Sequence, residues 1–454
     1  MKILGGAGDE RGKSPRRLLA STLGDELRLR SNGRAKVIGI SAKDRGAIMP
    51  AGRNASAAYW FSATTGRLIS STYYFNQLPA WVQQFNETNP SDKFFNAQWE
   101  RLLKDTGEYE RRAGPDAPEW ENLLGERERQ RERERGLDTA FPHLIKGKES
   151  KPGADFYDVL TASPFSNDLL VEFAKLAITN EALGADADTD VLTVGFSAND
   201  YVGHRFGPYS QEVMDITLRT DRQIGELLDF VDARVGLRNT IVAFSADHGV
   251  APVPEHAASL NLPGARINPD QIVTAVKNAV RARFSRAGDE KDTTVDYVQA
   301  FTPKNGNVYF NWPALRRDGI DREEIERVAG EAALTVPGVA RYFTRTQLER
   351  GAVSPADPIA RRVLHGFNAQ RSGDVVIINQ PFHLIVNYTA DHSSPYSYDT
   401  HVPLIILGEG AAAGRYQNAA TPADLAPTLA ALLRVESPSS TTGRVLLEGM
   451  KTAK

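Results

Sequence analysis

Two short stretches of the sequence combine a carboxylate with an imidazole at spacings that suit a metal ion. In NDYVGHRFGP, Asp200 and His204 stand four positions apart, and in SADHG, Asp247 and His248 are adjacent. Carboxylate oxygens and imidazole nitrogens are ligands that Zn²⁺ takes in catalytic sites, where three protein ligands leave one position open. A third ligand is predicted to be His401, in YSYDTHVPLIIL. The pattern therefore predicts one zinc ion held by Asp200, His204 and His401, and a second ion held by Asp247 and His248.

A pair of basic residues suits the substrate of such a site. Lys43 and Arg45 lie in AKDRG, directly after another apolar run. An Arg side chain can bind two phosphate oxygens at once, and a Lys side chain acts as a point charge. Two metal ions about 3.5–4 Å apart can stabilise both the attacking and the leaving oxygen of a phosphoryl transfer. The sequence thus predicts that Lys43 and Arg45 bind the phosphate of an ester.

The other histidines carry weaker signals. His392, in ADHSSPYSYDTH, is left open as a ligand in place of His401, as a residue that supports a ligand, or as a loop residue. No site role is predicted for the four histidines that lack acidic partners in a useful context: His143, His256, His365 and His383.

Strands must bring these residues together, and five β-branched runs predict buried strands. The runs span residues 35–41, 190–197, 239–245, 374–379 and 402–407. The first three end just before Lys43, Asp200 and Asp247, and α/β proteins bind ligands beyond the carboxyl ends of such strands. The predicted strand ends therefore gather carboxylates, imidazoles and cations at one edge of a sheet.

The helical patterns favour the same fold class. Apolar residues over 211–235 recur every three or four positions, which predicts one amphipathic helix and a βαβ unit over 190–245. Near the carboxyl terminus, Thr421 is the predicted N-cap and Pro422 the first residue of another helix. The prediction is an α/β fold with a largely parallel sheet flanked by helices.

Two segments depart from this alternation of strands and helices. Residues 125–136, GERERQRERERG, alternate in charge with hardly an apolar residue, which predicts a solvated insertion. Residues 256–390 mix helices with short strands and predict a smaller inserted α+β lobe. The predicted core domain then consists of residues 1–255 and 391–454.

The composition limits the classes of partner. The 454 residues are 41% apolar and 24% charged, with a net charge of −3 and no cysteine. This profile is typical of a globular protein and gives no reason to expect nucleic acid as a partner. Without cysteine there is no disulfide, no thiolate nucleophile and no Cys-type zinc site. No apolar run approaches the roughly 18 residues of a membrane span, so no membrane insertion is predicted.

Three motifs, in this order, resemble the metal-ligand motifs of the alkaline phosphatase superfamily: GFSANDYVGHRFGP, FSADHG and YDTHVPLI. The branch they resemble most is the type I phosphodiesterase/nucleotide pyrophosphatase-like one. Within it, SAKDRGAIMPAGRNASAAYWF and TYYFNQLPAWVQQFN are similar to phosphate-irrepressible alkaline phosphatases with a Thr nucleophile. The resemblance covers nearly the whole chain, since DLAPTLAALL and TTGRVL extend it to the carboxyl-terminal end.

This resemblance implies a two-zinc phosphatase that hydrolyses small phosphomonoesters and is exported to the periplasm or the cell exterior. The implied metal ligands and phosphate contacts are the residues already named. The Lys–Arg pair favours monoesters, because diesterase relatives lack it. The oligomeric state and the physiological substrate are not predicted.

The sequence departs from that group at its amino-terminal end. Members have a signal peptide, a central strand ending in a metal-binding Asp, a T-x-P-G-H-like stretch with the nucleophilic Thr, and an Asn that contacts phosphate; these motifs do not occur here. Thr22, in the predicted helix SPRRLLASTLGDEL, is not expected to replace the nucleophile. The expectation is an amino-terminally truncated chain with about one tight zinc site and little activity. If Met1 is the true start, the chain carries no signal peptide and is cytoplasmic.

Two alternative functions remain open. One is a catalytically dead remnant that binds metal or phosphate without turnover, and the other is a phosphodiesterase, nucleotide pyrophosphatase or phosphonate hydrolase on the same scaffold. Lys43 and Arg45 argue against the second alternative. A missing central strand would remove roughly 7–15 kcal/mol of apolar burial, as much as the whole net stability of a typical domain. Residues 1–454 alone are therefore predicted to be poorly soluble or molten.

Overall fold

The computed structural model describes residues 1–121, 130, 132–284, 296–385 and 388–451. The chain forms two compact units: unit 1 is Met1–Asp247 with Val402–Lys454, and unit 2 is His248–His401. The chain therefore passes from one unit to the other at the peptide bonds 247–248 and 401–402, both within motifs predicted to bind metal. The domain boundaries predicted from the sequence, at 255/256 and 390/391, stay a prediction.

Unit 1 contains strands and helices in alternation. Its strands are β1 (Ile3–Leu4), β2 (Val37–Ser41), β3 (Ala57–Ser62), β4 (Arg67–Ser71), β5 (Ala97–Trp99), β6 (His143–Ile145), β7 (Val191–Gly195) and β8 (Val242–Ser245), with the later strand β15 (Leu404–Leu407). Its helices are α1 (Leu23–Arg30), α2 (Asp44–Ala51), α3 (Ala80–Glu87), α4 (Thr106–Ala113), α5 (Ala154–Thr161), α6 (Pro164–Asn180), α7 (Ala198–Phe206) and α8 (Gln211–Arg234), with the later helix α16 (Leu425–Leu433).

The main sheet of unit 1 has the strand order β1-β4-β3-β2-β7. Strand β2 pairs in parallel with both β3 and β7, and every residue of β2 and β3 is buried. Continuous apolar runs such as VIGIS suit strands that are covered on both faces. The α/β prediction is confirmed, but the sheet is mixed rather than mostly parallel, because β3–β4 and β1–β4 are antiparallel pairs.

The strand that follows the long helix pairs differently from the prediction. The helix predicted over 211–235 is confirmed as α8, which begins after the N-cap Ser210. Strand β8 pairs antiparallel with β15 in a two-stranded ladder and does not join the sheet that contains β7. The predicted βαβ unit is therefore wrong in its pairing. Apolar periodicity identifies a strand, but it carries no information about which strand lies beside it.

The helix predicted over SPRRLLASTLGDEL is wrong in its start, because a 3₁₀ turn at Pro15–Arg17 is followed by α1 only from Leu23, so Thr22 precedes the helix and does not lie inside it. Thr22 caps α1, since its hydroxyl accepts a hydrogen bond from Asp25 N at 3.2 Å. Thr421 caps a short 3₁₀ turn at Pro422–Asp424, and α16 begins only at the following residue. At Thr22 the side-chain oxygen satisfies an amide that the first helical turn leaves without a partner, whereas at Thr421 the backbone N–H donates to Asp424 Oδ2 at 2.7 Å.

Unit 2 is built on an antiparallel sheet. Its strands are β9 (Ala265–Arg266), β10 (Val298–Thr302), β11 (Asn307–Phe310), β12 (Val339–Thr344), β13 (Val375–Asn379) and β14 (His383–Leu384). Its helices are α9 (Pro254–Ser259), α10 (Pro269–Phe284), α11 (Trp312–Asp318), α12 (Arg322–Leu334), α13 (Arg345–Glu349), α14 (Pro358–Gly366) and α15 (Ser397–Thr400). The sheet order is β10-β11-β13-β12, and α10 and α12 supply its core with residues at helical spacing: Ile272, Val276, Val280, Ile325 and Ala329.

The charged segment 125–136 lies partly outside the described residues, which omit 122–129 and 131. The described part is not solvated throughout, because the Arg135 side chain is only 7% exposed and pairs with Asp155 at 3.0 Å. Glu132 forms ion pairs with Arg135 and with Arg205, the residue after His204 in α7. Alternating charge in the sequence does not reveal which of these side chains find buried partners.

No helix in the described part of the chain combines the length and the apolar character needed to cross a membrane.

The first turn of α8 carries a buried acidic residue next to a buried histidine. Glu212 is 1% exposed, and its Oε1 lies 3.0 Å from Nε2 of His143, which is fully buried. Glu121 is also buried, at 4% exposure. Burial raises the pKa of the Glu121 carboxyl well above its usual range, and the nearby charges of Glu212 and Asp116 raise it further.

This pKa shift predicts a loss of stability at alkaline pH. A raised folded-state pKa means that the folded protein keeps this proton after the unfolded chain has lost it at its ordinary value of 4.5. The free energy of unfolding should therefore fall as pH rises from about 5 to about 9, because the unfolded state gains the favourable deprotonation first. In Glu121→Gln the fall should be smaller by at least ~1 kcal/mol in urea titrations at the two pH values. Glu119→Gln, at an exposed position in the same 3₁₀ turn, is the control and should fall like the unmodified protein.

Candidate metal and phosphate site

The loop after β2 carries the predicted phosphate-binding cations. Lys43 is the N-cap residue of α2, and Arg45 is an exposed residue in the first turn of that helix. The ammonium of Lys43 contacts the carboxylate of Asp200 and lies 4.5 Å from the ring centre of Tyr201. The Tyr201 hydroxyl has a raised pKa because the side chain is largely buried. The structure thus joins Lys43 to the first predicted metal ligand.

Helix α7 carries that ligand and the next one on the same face. Asp200 and His204 are one helical turn apart, and Oδ1 of Asp200 lies 3.4 Å from Nε2 of His204. Residues at positions i and i+4 of a helix point in the same direction, so both can reach one ion. The parallel pairing of β2 with β7 places the loop of Lys43 beside the start of this helix.

The motif SADHG is divided between the two units. Asp247 is exposed and lies two residues beyond the end of β8 in unit 1. His248 begins unit 2, and its Nδ1 lies 2.8 Å from the carbonyl oxygen of Gly249. A carbonyl oxygen only accepts hydrogen bonds, so in the neutral ring Nδ1 carries the proton and Nε2 keeps the lone pair that a metal ion needs.

In unit 2, His248 stacks on His392. The two rings are nearly parallel, with 3.4 Å between centroids and 9° between planes. A ring nitrogen of each lies within 4.8 Å of the other, and the carboxylate of Asp391 lies within the same distance of His392. This places two imidazoles and a carboxylate together in unit 2.

A lysine contacts this group from within the same unit. Nζ of Lys304 lies 3.3 Å from Nε2 of His392 and 3.4 Å from Oδ1 of Asp391. Since an ammonium can only donate, Nε2 of His392 accepts, and its lone pair points at a cation. In unit 1, the ammonium of Lys43 likewise contacts the carboxylate of Asp200. In both units, therefore, ligand-type atoms are arranged around positive charge, which fits a divalent cation bound by carboxylate and imidazole.

The surroundings of His401 differ from those of His248 and His392. It is exposed, and its backbone N–H donates to Ser397 O at 2.9 Å at the end of α15. Within α15, Asp399 is buried at 3% exposure, and burial raises the pKa of its carboxyl. Among the described ligand-type residues of unit 2, His392 has a neighbouring imidazole and a neighbouring carboxylate, whereas no such group includes His401.

The sequence analysis left the role of His392 open and missed three neighbours of His392 or of Asp200: Asp391, Lys304 and Tyr201. Asp391 and His392 form an Ala-Asp-His triplet identical to the one at 246–248, and this repeat was a signal that could have been used. Tyr201 adjoins a predicted ligand. Lys304 lies far from every motif in the sequence, and only the folded chain shows its contact with His392.

Comparisons with known proteins support the family resemblance that the sequence motifs indicated. The family model of type I phosphodiesterase/nucleotide pyrophosphatase matches residues 28–401. Alkaline phosphatase PhoV of Synechococcus elongatus is 33% identical over 99% of this chain and 77% of its own length. Alkaline phosphatase PafA of Elizabethkingia meningoseptica is 33% identical over 96% of this chain and 75% of its own. The crystal structure of wild-type PafA superposes with a TM-score of 0.85 at 31% identity, over 99% of this chain and 82% of that one.

The matched range covers more than half of the chain and includes every predicted site residue. The family resemblance seen in the sequence motifs is therefore confirmed. The chain belongs to the type I phosphodiesterase/nucleotide pyrophosphatase family.

Proposed function

We propose that the protein is a metal-dependent hydrolase of phosphomonoesters. The observation that carries the proposal is the contact between Lys43 and Asp200, which joins a phosphate-binding cation to a metal ligand at the ends of two parallel strands. Similarity to proteins named alkaline phosphatases supports the same substrate class. Localisation in the periplasm or outside the cell stays a prediction.

We assign the first zinc ion to Asp200, His204 and a third imidazole. The sequence predicted His401 for that third position, with His392 as the alternative. His392 is the better candidate, because its Nε2 lone pair already faces a cation and its side chain is 14% exposed, whereas His401 is exposed. The neighbouring His248, with Asp247 before it in the chain, is assigned to a second ion.

The stacked imidazoles suit two neighbouring ions. Ligands to two ions about 3.5–4 Å apart must themselves lie close together, as His248 and His392 do. The Gly249 carbonyl fixes the tautomer of His248 and so orients its lone pair. Zinc bound by these side chains would polarise the phosphate ester and lower the pKa of an attacking oxygen.

The basic residues act on the phosphate itself. Lys43, packed over the Tyr201 ring, supplies a fixed positive charge, and Arg45 can bind two non-bridging oxygens. Both would stabilise the charge that builds up on the phosphoryl group in the transition state. Binding of phosphate next to Asp200 requires that the Lys43 ammonium be shared between the carboxylate and the substrate.

The T-x-P-G-H-like stretch that carries the nucleophilic Thr in the resembling group does not occur in the sequence. Thr22 is committed to capping α1, and its hydroxyl also lies 3.3 Å from the carbonyl oxygen of Ala51. This supports the prediction that these residues alone turn substrate over slowly, and it favours binding without turnover as the second candidate function. The predicted amino-terminal truncation and its effect on stability stay predictions.

The metal assignment predicts which histidines are needed for tight zinc binding. Purified protein equilibrated with zinc and then desalted should retain about one ion, measured by plasma mass spectrometry. His204→Ala and His392→Ala should lose most of it, because removal of one of three ligands leaves too few for tight binding. His401→Ala should keep it.

His365→Ala is the matched control, since His365 is an exposed histidine at the end of α14 and should not affect zinc content. Full retention by His392→Ala together with loss in His401→Ala would contradict the assignment and restore the one predicted from the sequence.

The phosphate-binding role of the cations is tested without turnover. In isothermal titration of the zinc-equilibrated protein with inorganic phosphate, Lys43→Ala and Arg45→Ala should each raise Kd at least ~10-fold, the effect of losing a charged hydrogen bond. Arg45→Lys should recover only part of the affinity, because an ammonium cannot bind two oxygens in the fixed geometry of a guanidinium. Lys93→Ala, which removes a half-exposed lysine paired with Glu172, is the control and should leave Kd unchanged.

Turnover of an aryl phosphate should be slow. For residues 1–454, we expect kcat/KM about 10⁴-fold below that of PafA assayed in parallel, because catalytic groups that act as a unit lose most of their effect when one is missing. Chelator-sensitive turnover within about tenfold of PafA would contradict this expectation and show that another group or a water molecule acts as nucleophile.

A further inference from the structure

A buried serine joins the two segments that carry the candidate site. Ser41, the last residue of β2, is fully buried, and its Oγ lies 2.8 Å from Oγ of Ser197. Ser197 is the N-cap residue of α7, the helix of Asp200 and His204. Two residues after Ser41 comes Lys43. One hydroxyl contact therefore connects the phosphate-binding loop to the metal-ligand helix.

The hydrogen bonds of Ser41 use its full capacity. The Ser41 hydroxyl lies 3.1 Å from the carbonyl oxygen of Gly195, closer than the Ser197 hydroxyl at 3.5 Å, so we assign Ser41 as the donor to Gly195 and Ser197 as the donor to Ser41. The backbone N–H of Lys43 also donates to Ser41 Oγ, at 3.3 Å. A serine hydroxyl has one donor and two acceptor positions, and all three are filled.

Ser197 does not cap its helix with its side chain, as an N-cap serine usually does. A serine at a helix N-cap typically accepts a hydrogen bond from an amide in the first turn. The Ser197 side chain makes no such capping bond, and its hydroxyl is directed to Ser41 instead. The start of α7 therefore lacks a stabilising side-chain cap, and the Ser197 hydroxyl forms a hydrogen bond to β2 instead.

Two glycines leave room for the hydroxyl of Ser41. A Cβ added to Gly46 would lie 2.6 Å from Ser41 Oγ, and one added to Gly195 would lie 2.7 Å from the same atom. Real Cβ atoms do not approach that closely, so glycine at both positions allows the Ser41 hydroxyl to fit between α2 and the end of β7.

We propose that Ser41 is a positioning residue for phosphate binding. Through Ser197 and the Lys43 amide it fixes the distance between the cations of α2 and the ligands of α7. Because Ser41 is fully buried, it acts through these residues and not by contact with substrate. The proposal rests on the phosphate-binding role proposed for Lys43 and Arg45.

The test measures phosphate affinity and stability in parallel on the zinc-equilibrated protein. Ser41→Ala should raise the Kd for inorganic phosphate about tenfold, since small displacements of positioned groups are costly. Ser197→Ala should have the same effect, and the double variant should be no worse than either single one, because both remove one interaction.

Ser70→Ala is the matched control. Ser70 is also fully buried in the same sheet, in β4, and donates to the carbonyl oxygen of Ala58 at 2.8 Å. It should lower Tm by an amount similar to Ser41→Ala and leave the phosphate Kd unchanged.

Two results would overturn the proposal for different reasons. If Lys43→Ala and Arg45→Ala weaken phosphate binding but Ser41→Ala behaves like Ser70→Ala, the role of Ser41 is wrong and the proposed function stands. If Lys43→Ala and Arg45→Ala leave phosphate binding unchanged, the proposed function fails, and the role of Ser41 fails with it.

Discussion

The parallel register of β2 and β7 is the constraint on which the candidate site depends. Five successive residue pairs run from Val37 opposite Val191 to Ser41 opposite Gly195. Both strands end at the same level, so the loop after one and the helix after the other start side by side. A register shift of one residue would turn the side chains of β2 to the opposite faces and separate these starts. The contact of Lys43 with Asp200 follows from this alignment.

Electrostatics then decide what the aligned residues can bind. Asp200 meets the ammonium of Lys43, while Asp391 and His392 meet the ammonium of Lys304. Each lysine neutralises ligand-type atoms that would otherwise repel one another or remain unsatisfied. A divalent cation offers a higher charge to the same atoms and would compete with these lysines. Metal binding and the position of Lys43 are therefore coupled in this account.

The sequence allowed the strands at 35–41 and 190–197, helix α8 and the family to be predicted, because apolar periodicity and motif order are local properties of the chain. Strand pairing was predicted less well, since β8 lies beside β15 and not in the main sheet. The choice between His392 and His401 could not be made from spacing, because both follow an Asp or lie close to one. Ser41 could not be recognised from the sequence as a candidate positioning residue, because its hydroxyl contacts residues more than 150 positions away.

The central proposal is that Asp200 and His204 on α7 hold a zinc ion together with a third imidazole, proposed to be that of His392. The most direct measurement is anomalous X-ray scattering at the zinc absorption edge from crystals of the zinc-equilibrated protein. The account predicts a peak about 2.0–2.2 Å from a carboxylate oxygen of Asp200, from a ring nitrogen of His204 and from Nε2 of His392. A zinc-equilibrated crystal with no anomalous peak at Asp200 and His204, and with the Lys43 ammonium still bound to Asp200, would contradict it.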